Sequence, residues 1–155
     1  MITDLHHTSL FVSNVDKSID FYINKLKFEL VSRSDNWGGE FLDEVCGGAK
    51  DLRINIALIR AGGEIVELIE ILNHPEIPND VNAHPFGIAR IGFEVNEIEA
   101  TVDDLKSRGV KFMSDIVTVT TKPEEHYSDG KAIKFRDPDG IILKIQQPPI
   151  PGKIT

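Results

Sequence analysis

The chain repeats itself. Sliding the 155-residue sequence by 83 places lays Leu10 on Phe93, Val12 on Val95, Val15 on Ile98, Ile19 on Val102, Asp20 on Asp103 and Tyr22 on Leu105. A repeat of this period means one supersecondary unit used twice, so each local assignment has to hold in both copies. In each copy a short alternating run, Leu5–Val12 and then Ile88–Val95, predicts a half-buried strand. A helix follows. Val15, Ile19, Tyr22 and Leu26 fall at spacings of four, three and four, and Ile98, Val102 and Leu105 repeat the stripe, so one face of each helix lies on a sheet. Asn96 with Glu99 three residues on has the form of a capping arrangement, and Gly109 is placed to end the second helix in the left-handed conformation.

After each helix the pattern predicts a strand, around Phe28–Ser32 and Lys111–Met113, then a longer connection and two strands joined by a tight turn. The turns Arg60-Ala61-Gly62-Gly63 and Asp137-Pro138-Asp139-Gly140 carry Gly and Pro where chain reversals favour them. They join Arg53–Ile59 to Glu64–Ile71 and Lys131–Arg136 to Ile141–Gln146. The offset here is 77, so the second copy is six residues shorter, a difference for loops to absorb. The fold predicted is α+β, two tandem βαβββ units over 1–75 and 85–147 within one domain of 1–155, followed by an extended Pro-rich tail over 148–155. Asp35–Asp51 is the long insertion of the first copy, where Phe41, Leu42 and Val45 predict a short amphipathic helix beside Trp37, as a packed surface loop or as a lid over a pocket. Thr118–Gly130 holds the same place in the second copy.

Composition excludes several partners. With 17 Lys and Arg against 25 Asp and Glu, the net charge is −8, a field that repels duplex nucleic acid and anionic membrane surfaces. No apolar run approaches the roughly 18 residues of a spanning helix, and Met1-Ile2-Thr3-Asp4 lacks the layout of a secretion signal. The single Cys46 rules out an intramolecular disulfide and a Cys-based zinc cluster, as expected in a reducing cytoplasm, and it has no base partner that would make it a nucleophile.

Strand alternation sorts side chains by face. Opposite the helices it leaves His7, Ser9 and Phe11 on the first strand, Ile65, Glu67 and Ile69 on the fourth, Arg90, Gly92 and Glu94 on the fifth, and Ile142, Lys144 and Gln146 on the last. Four polar groups therefore recur at equivalent places: His7, Glu67, Arg90 and Lys144. His6 and Glu70 alternate the other way, His6 as a satisfied core or edge histidine and Glu70 as a solvated acid. His74 and His84 lie beside prolines between the copies, at the surface or an interface, and His126 precedes the Lys131–Arg136 strand.

The motifs His7-x-x-Leu10-x-Val12, Ser18-Ile19-Asp20-Phe21-Tyr22 before Leu26-Lys27-Phe28, Val66-Glu67-Leu68-Ile69-Glu70, Ile91-Gly92-Phe93-Glu94-Val95 and Phe135-Arg136-Asp137-Pro138-Asp139-Gly140 lie on this frame. Together they resemble the vicinal oxygen chelate superfamily of glyoxalases, epimerases, extradiol dioxygenases and bleomycin or fosfomycin resistance proteins. The resemblance covers nearly the whole chain. It implies a cup-shaped sheet assembly, a homodimer, and a cup floor whose metal ligands come from the first and last strands of both units. His7 matches the first-strand histidine, and Glu67 the acidic ligand on the fourth strand. Arg90 and Lys144 stand where metal-dependent members carry His or Glu, and neither offers a lone pair. Unit charges about 4 Å apart interact with roughly 4 kcal/mol at an effective dielectric near 20, so two cations also oppose a divalent ion.

The expectation is therefore no metal cofactor. The alternative is a divalent Zn, Ni, Mn or Fe on His7 and Glu67. A floor with more cations than carboxylates suits a small anionic ligand, with Arg90 as a planar fork and Lys144 as a point charge. Trp37 and His126 are assigned to ligand binding at the walls and mouth of the cup. Three readings of the floor stay open: a buried ion network, a metal-free lyase or isomerase with Glu67 as the base beside a carbonyl and a cation holding the oxyanion, and a metal-dependent enzyme of that kind. A non-catalytic protein that sequesters a drug or metabolite is the rival class.

Overall fold

The computed structural model describes residues 5–39, 50–74, 90–119 and 130–148. The chain divides into two compact units, Met1–Phe86 and Gly87–Thr155. In the first, β1 (Thr8–Phe11) leads to α1 (Val15–Ile19), which runs on as a π-helical turn (Asp20–Lys25), and then to β2 (Glu29–Trp37), β3 (Ile54–Ala61) and β4 (Glu64–Ile71). In the second, β5 (Ile91–Glu94) leads to α2 (Ile98–Ser107), β6 (Val117–Val119), β7 (Gly130–Arg136) and β8 (Ile142–Gln147). Strand order is β1-β4-β3-β2 in one sheet and β5-β8-β7-β6 in the other, with β1 parallel to β4, β5 parallel to β8 and the other neighbours antiparallel. Each unit is thus βαβββ with a four-stranded mixed sheet, and the sequence repeat is a repeat of topology.

Each sheet buries one face under its helix. In the first unit Leu10, Val12, Ala57, Ile59, Val66 and Leu68 are buried together with Val15, Phe21 and Tyr22 of the helix. In the second Ile133, Phe135, Leu143 and Ile145 are buried with Ile98, Val102 and Leu105, the stripe that the spacing predicts. Full burial of such side chains contributes about 1.5–3 kcal/mol each.

Each helix start takes a side-chain acceptor from the last strand of its own unit, and α1 has in addition a local cap, Asn14, whose Oδ1 accepts from Lys17 N–H at 2.9 Å. The first helical N–H of α1, on Val15, donates to the Glu70 carboxylate at 3.1 Å, and that of α2, on Ile98, donates to Gln147 Oε1 at 2.8 Å. Glu70 also accepts from Asn55 Nδ2 at 3.1 Å, so it is a half-buried helix cap and not the solvated acid predicted. The residue before α2 is Glu97, with no side-chain cap, so the Asn96 arrangement does not form; Gln147 from β8 takes the N–H instead. At the other end, Gly109 at φ 80° lets Val110 N–H reach Leu105 O and Gly109 N–H reach Lys106 O.

The first helix holds one residue more before its own positive-φ residue, Lys27 at φ 63°. The π turn accommodates it, with Leu26 N–H bonded to Phe21 O. The wider turn alters the buried stripe: Val15, Ser18, Phe21 and Tyr22 are buried, whereas Ile19 and Leu26 are only half-buried.

Several strand assignments change. β2 runs on to Trp37 with irregularities after Leu30 and Ser34, so Trp37 belongs to the strand and pairs with Ile54. Lys111–Met113 forms no strand; Phe112 makes a single bridge to Phe135, and β6 fills the edge position. β5 starts at Ile91, later than the alternating run. Phe41, Leu42, Val45 and the chain after Pro148 lie outside the described residues.

Candidate functional site

The face of each sheet turned away from its helix follows from strand register. In the first unit Ser9, Glu67 and Leu58 form one row across β1, β4 and β3, and Phe11, Ile69 and Ile56 form the next. In the second, Gly92, Lys144 and Lys134 form the corresponding row across β5, β8 and β7, followed by Glu94, Gln146 and Ala132. His7 and Arg90 precede these rows, one residue outside β1 and β5. Equivalent positions thus carry an acid with a histidine in one unit and two cations in the other.

On the first face Glu67 Oε2 accepts a hydrogen bond from Ser9 Oγ at 2.6 Å and lies 3.4 Å from His7 Nε2. The Glu67 side chain is 20% exposed and that of His7 39%, so the pair stands open to an incoming molecule. His6 does not enter the core: it is exposed, with Nδ1 2.7 Å from Nδ1 of His7, a contact in which one ring donates and the other accepts. Strand alternation does not extend back to His6, because β1 begins only at Thr8. Around Glu67 the face is apolar. Ile54 and Ile69 are buried with Leu52, flanked by Ile56 and Ile71, and Phe11 is 44% exposed. Trp37 stands at the end of this face beside Ile54 and is 41% exposed.

In the second unit Arg90, just before β5, is exposed, and Lys144 on the helix-free face is half-buried, its ammonium donating to Gln146 Oε1. Arg136 donates to Gly140 O at 2.7 Å and is thereby tied to the β7–β8 turn. That turn is held from inside by Asp137, 5% exposed, whose carboxylate accepts from the N–H groups of Asp139 at 2.9 Å and Ile141 at 2.8 Å. His74 holds Lys50 O at 3.1 Å, a link within the first unit. His126, His84 and Cys46 lie outside the described residues. A groove of about 380 Å³ lies on the helix side of the second unit, between Glu99 and Asp103 of α2 and Asp115 and Ile116, and its lining holds no aromatic side chain.

Residues 4–145 match the sequence profile of the Glyoxalase/Bleomycin resistance protein/Dioxygenase superfamily. The chain belongs to that superfamily. It is 27% identical over 151 residues to the uncharacterised protein YaeR of Escherichia coli strain K12, covering 94% of this chain and 97% of that one. Its fold is similar to that of a glyoxalase family protein from Bacillus cereus, with a TM-score of 0.72 at 21% identity over 96% of this chain and 95% of that one. It is also similar in fold to the fosfomycin resistance protein FosX of Listeria monocytogenes (TM-score 0.60, 17% identity, 97% of both chains). A third likeness is to TnmS3, an antibiotic binding protein from Streptomyces sp. CB03234 (TM-score 0.57, 22% identity, 95% of this chain and 97% of that one).

Metal-dependent members of the superfamily need lone-pair donors from both units. Here His7 and Glu67 supply them in the first, while Arg90 and Lys144 at the equivalent places have none to give. Among the described residues no group of three or more His, Cys, Asp or Glu side chains converges. Likewise, among the described residues no helix is long and apolar enough to cross a membrane. Register also adds a residue that sequence reading passed over, Lys134, opposite Lys144 on the same face. Its signal was the alternation of Ala132, Lys134 and Arg136 against Ile133 and Phe135.

Proposed function

We propose that this chain binds a small anionic molecule and acts on it in the glyoxalase-like manner, as a metal-independent lyase or isomerase that moves a proton beside a carbonyl. The observation that carries the reading is the replacement of the His7 and Glu67 pair by Arg90 and Lys144 at equivalent positions. Glu67 is the base: its carboxylate takes the proton from the carbon next to the carbonyl and becomes a carboxylic acid. The electron pair moves onto the carbonyl oxygen, and it is the superfamily resemblance that assigns a cation, Arg90 or Lys144, to hold the negative charge there. Return of the proton to the neighbouring carbon gives isomerisation; loss of a leaving group gives elimination. Ser9 and His7 fix Oε2 of Glu67, which leaves the carboxylate one oriented oxygen for the substrate. Trp37 and Phe11 supply the apolar contact for the rest of the ligand.

The second reading is sequestration without chemistry, favoured by the fold likeness to an antibiotic binding protein. Deuterium exchange separates the two. Protein treated with chelator is incubated in D2O with a panel of 2-oxo acids and exchange beside the carbonyl is followed by NMR. Catalysis predicts exchange that Glu67→Gln abolishes while ligand binding persists; binding without exchange in the wild type establishes sequestration. We also infer a cytoplasmic homodimer, the single Cys46 supporting the compartment and family likeness the dimer.

A further inference from the structure

The hydroxyl of Ser9 donates to Glu67 Oε2 at 2.6 Å, a length typical of an O–H donor meeting a charged oxygen. Ser9 and Glu67 are direct partners in the parallel pairing of β1 with β4, so the sheet and not a loop holds the contact. His7 Nε2 lies 3.4 Å from the same oxygen. A hydroxyl within reach of a base, with a third polar group beside that base, is the arrangement that makes a serine nucleophilic. The architecture does not require it: the equivalent pair in the second unit is Gly92 with Lys144, in the same parallel register. Ser9 is exposed, so its oxygen is open to an incoming carbonyl carbon.

The next row on this face is apolar. Phe11 pairs with Ile69 two residues further along the same strands, Ile56 lies across from Ile69, and Phe11 is 44% exposed. An apolar acyl group can lie against that row while its carbonyl carbon stands at Ser9.

We propose that Ser9 and Glu67 form a nucleophile and base pair that hydrolyses esters or thioesters of small apolar acids, an activity separate from proton transfer beside a carbonyl. Ser9 Oγ attacks the carbonyl carbon as its proton passes to Glu67 Oε2, and the ring N–H of His7 donates to the carbonyl oxygen while that oxygen carries the negative charge. The bond from the carbonyl carbon to the leaving oxygen or sulfur then breaks, the leaving group takes the proton from Glu67, and the acyl group stays on Ser9. Water repeats the sequence: Glu67 takes its proton, its oxygen forms the new bond to the acyl carbon, and Ser9 departs with that proton back on Oγ.

The full chain and p-nitrophenyl trimethylacetate test this. The ester has no hydrogen on the carbon beside its carbonyl, so proton transfer cannot act on it and the two activities are read separately. The wild type is expected to release a burst of p-nitrophenol of about one equivalent per chain, with peptide mass spectrometry finding the acyl group on Ser9. Ser9→Ala should abolish the burst, and Glu67→Gln should slow it at least about a hundredfold, the contribution of a positioned base. Ser9 is exposed and glutamine keeps the shape of Glu67, so circular dichroism of both variants should match the wild type. No burst in the wild type, acylation of a residue other than Ser9, or a burst that Glu67→Gln leaves unchanged overturns the assignment. The proton-transfer reading, tested by deuterium exchange, stands apart from each of these results.

Discussion

Ser18 lies fully buried on the sheet-facing side of α1, and its hydroxyl meets no hydrogen-bond partner among the described residues. A buried hydroxyl without a partner costs about 1–3 kcal/mol of desolvation. Ser18→Ala should therefore raise stability by about 1 kcal/mol in urea denaturation; a loss of stability would show that the hydroxyl is satisfied. Ser18 stands three residues after Val15, in the α-helical segment that precedes the π turn, so helical spacing puts both on the buried side. The face of Glu67, inside β4, was legible for a simpler reason. Period-two alternation fixes the face of a strand residue without knowledge of its neighbours. His7 and His6 precede β1, which begins at Thr8, so that rule covers neither of them.

At the scale of elements, the two helices take their N-terminal partner from the far end of their own unit. Glu70→Ala and Gln147→Ala should each cost about 1–2 kcal/mol, measured by denaturation, since each leaves a first-turn N–H without its acceptor. A second tie joins α2 to β7, where Lys131 donates to Glu99. That ammonium, together with the backbone N–H of Glu99 itself, holds the Glu99 carboxyl below the usual carboxylate range. A carboxyl lowered by folding stabilises the native state at neutral pH and loses that contribution as pH falls through its folded value. Carbon-detected NMR titration of Lys131→Met should show Glu99 titrating at higher pH than in the wild type; an unchanged midpoint contradicts the pairing. These caps join residues 49 to 55 positions apart, so no local motif announces them. The Asn96 and Glu99 spacing suggested a local cap and lost to Gln147. Gly109, by contrast, was readable, because a left-handed helix end requires glycine or a strained substitute.

For the whole molecule, the internal repeat carried the topology from sequence to structure: matching runs at offsets of 83 and 77 returned as two sheets of identical strand order. Sequence reading left the edge strands least certain. β2 bends past two irregularities, and β6 lies after a loop whose length the repeat does not conserve. A homodimer of a 17.3 kDa chain should persist at micromolar concentration in sedimentation velocity; a monomer at high concentration argues against it. The proposed anion seat puts Arg90 and Lys144 at the positions where metal-dependent members of the superfamily carry ligands. Calorimetric titration of the wild type, Arg90→Met and Lys144→Met against a panel of small organic anions measures it directly. The account predicts binding by the wild type that each variant weakens by about 1.5–3 kcal/mol, the range of charge-assisted hydrogen bonds, with folding intact. Equal binding by all three proteins, or none by the wild type, would contradict it.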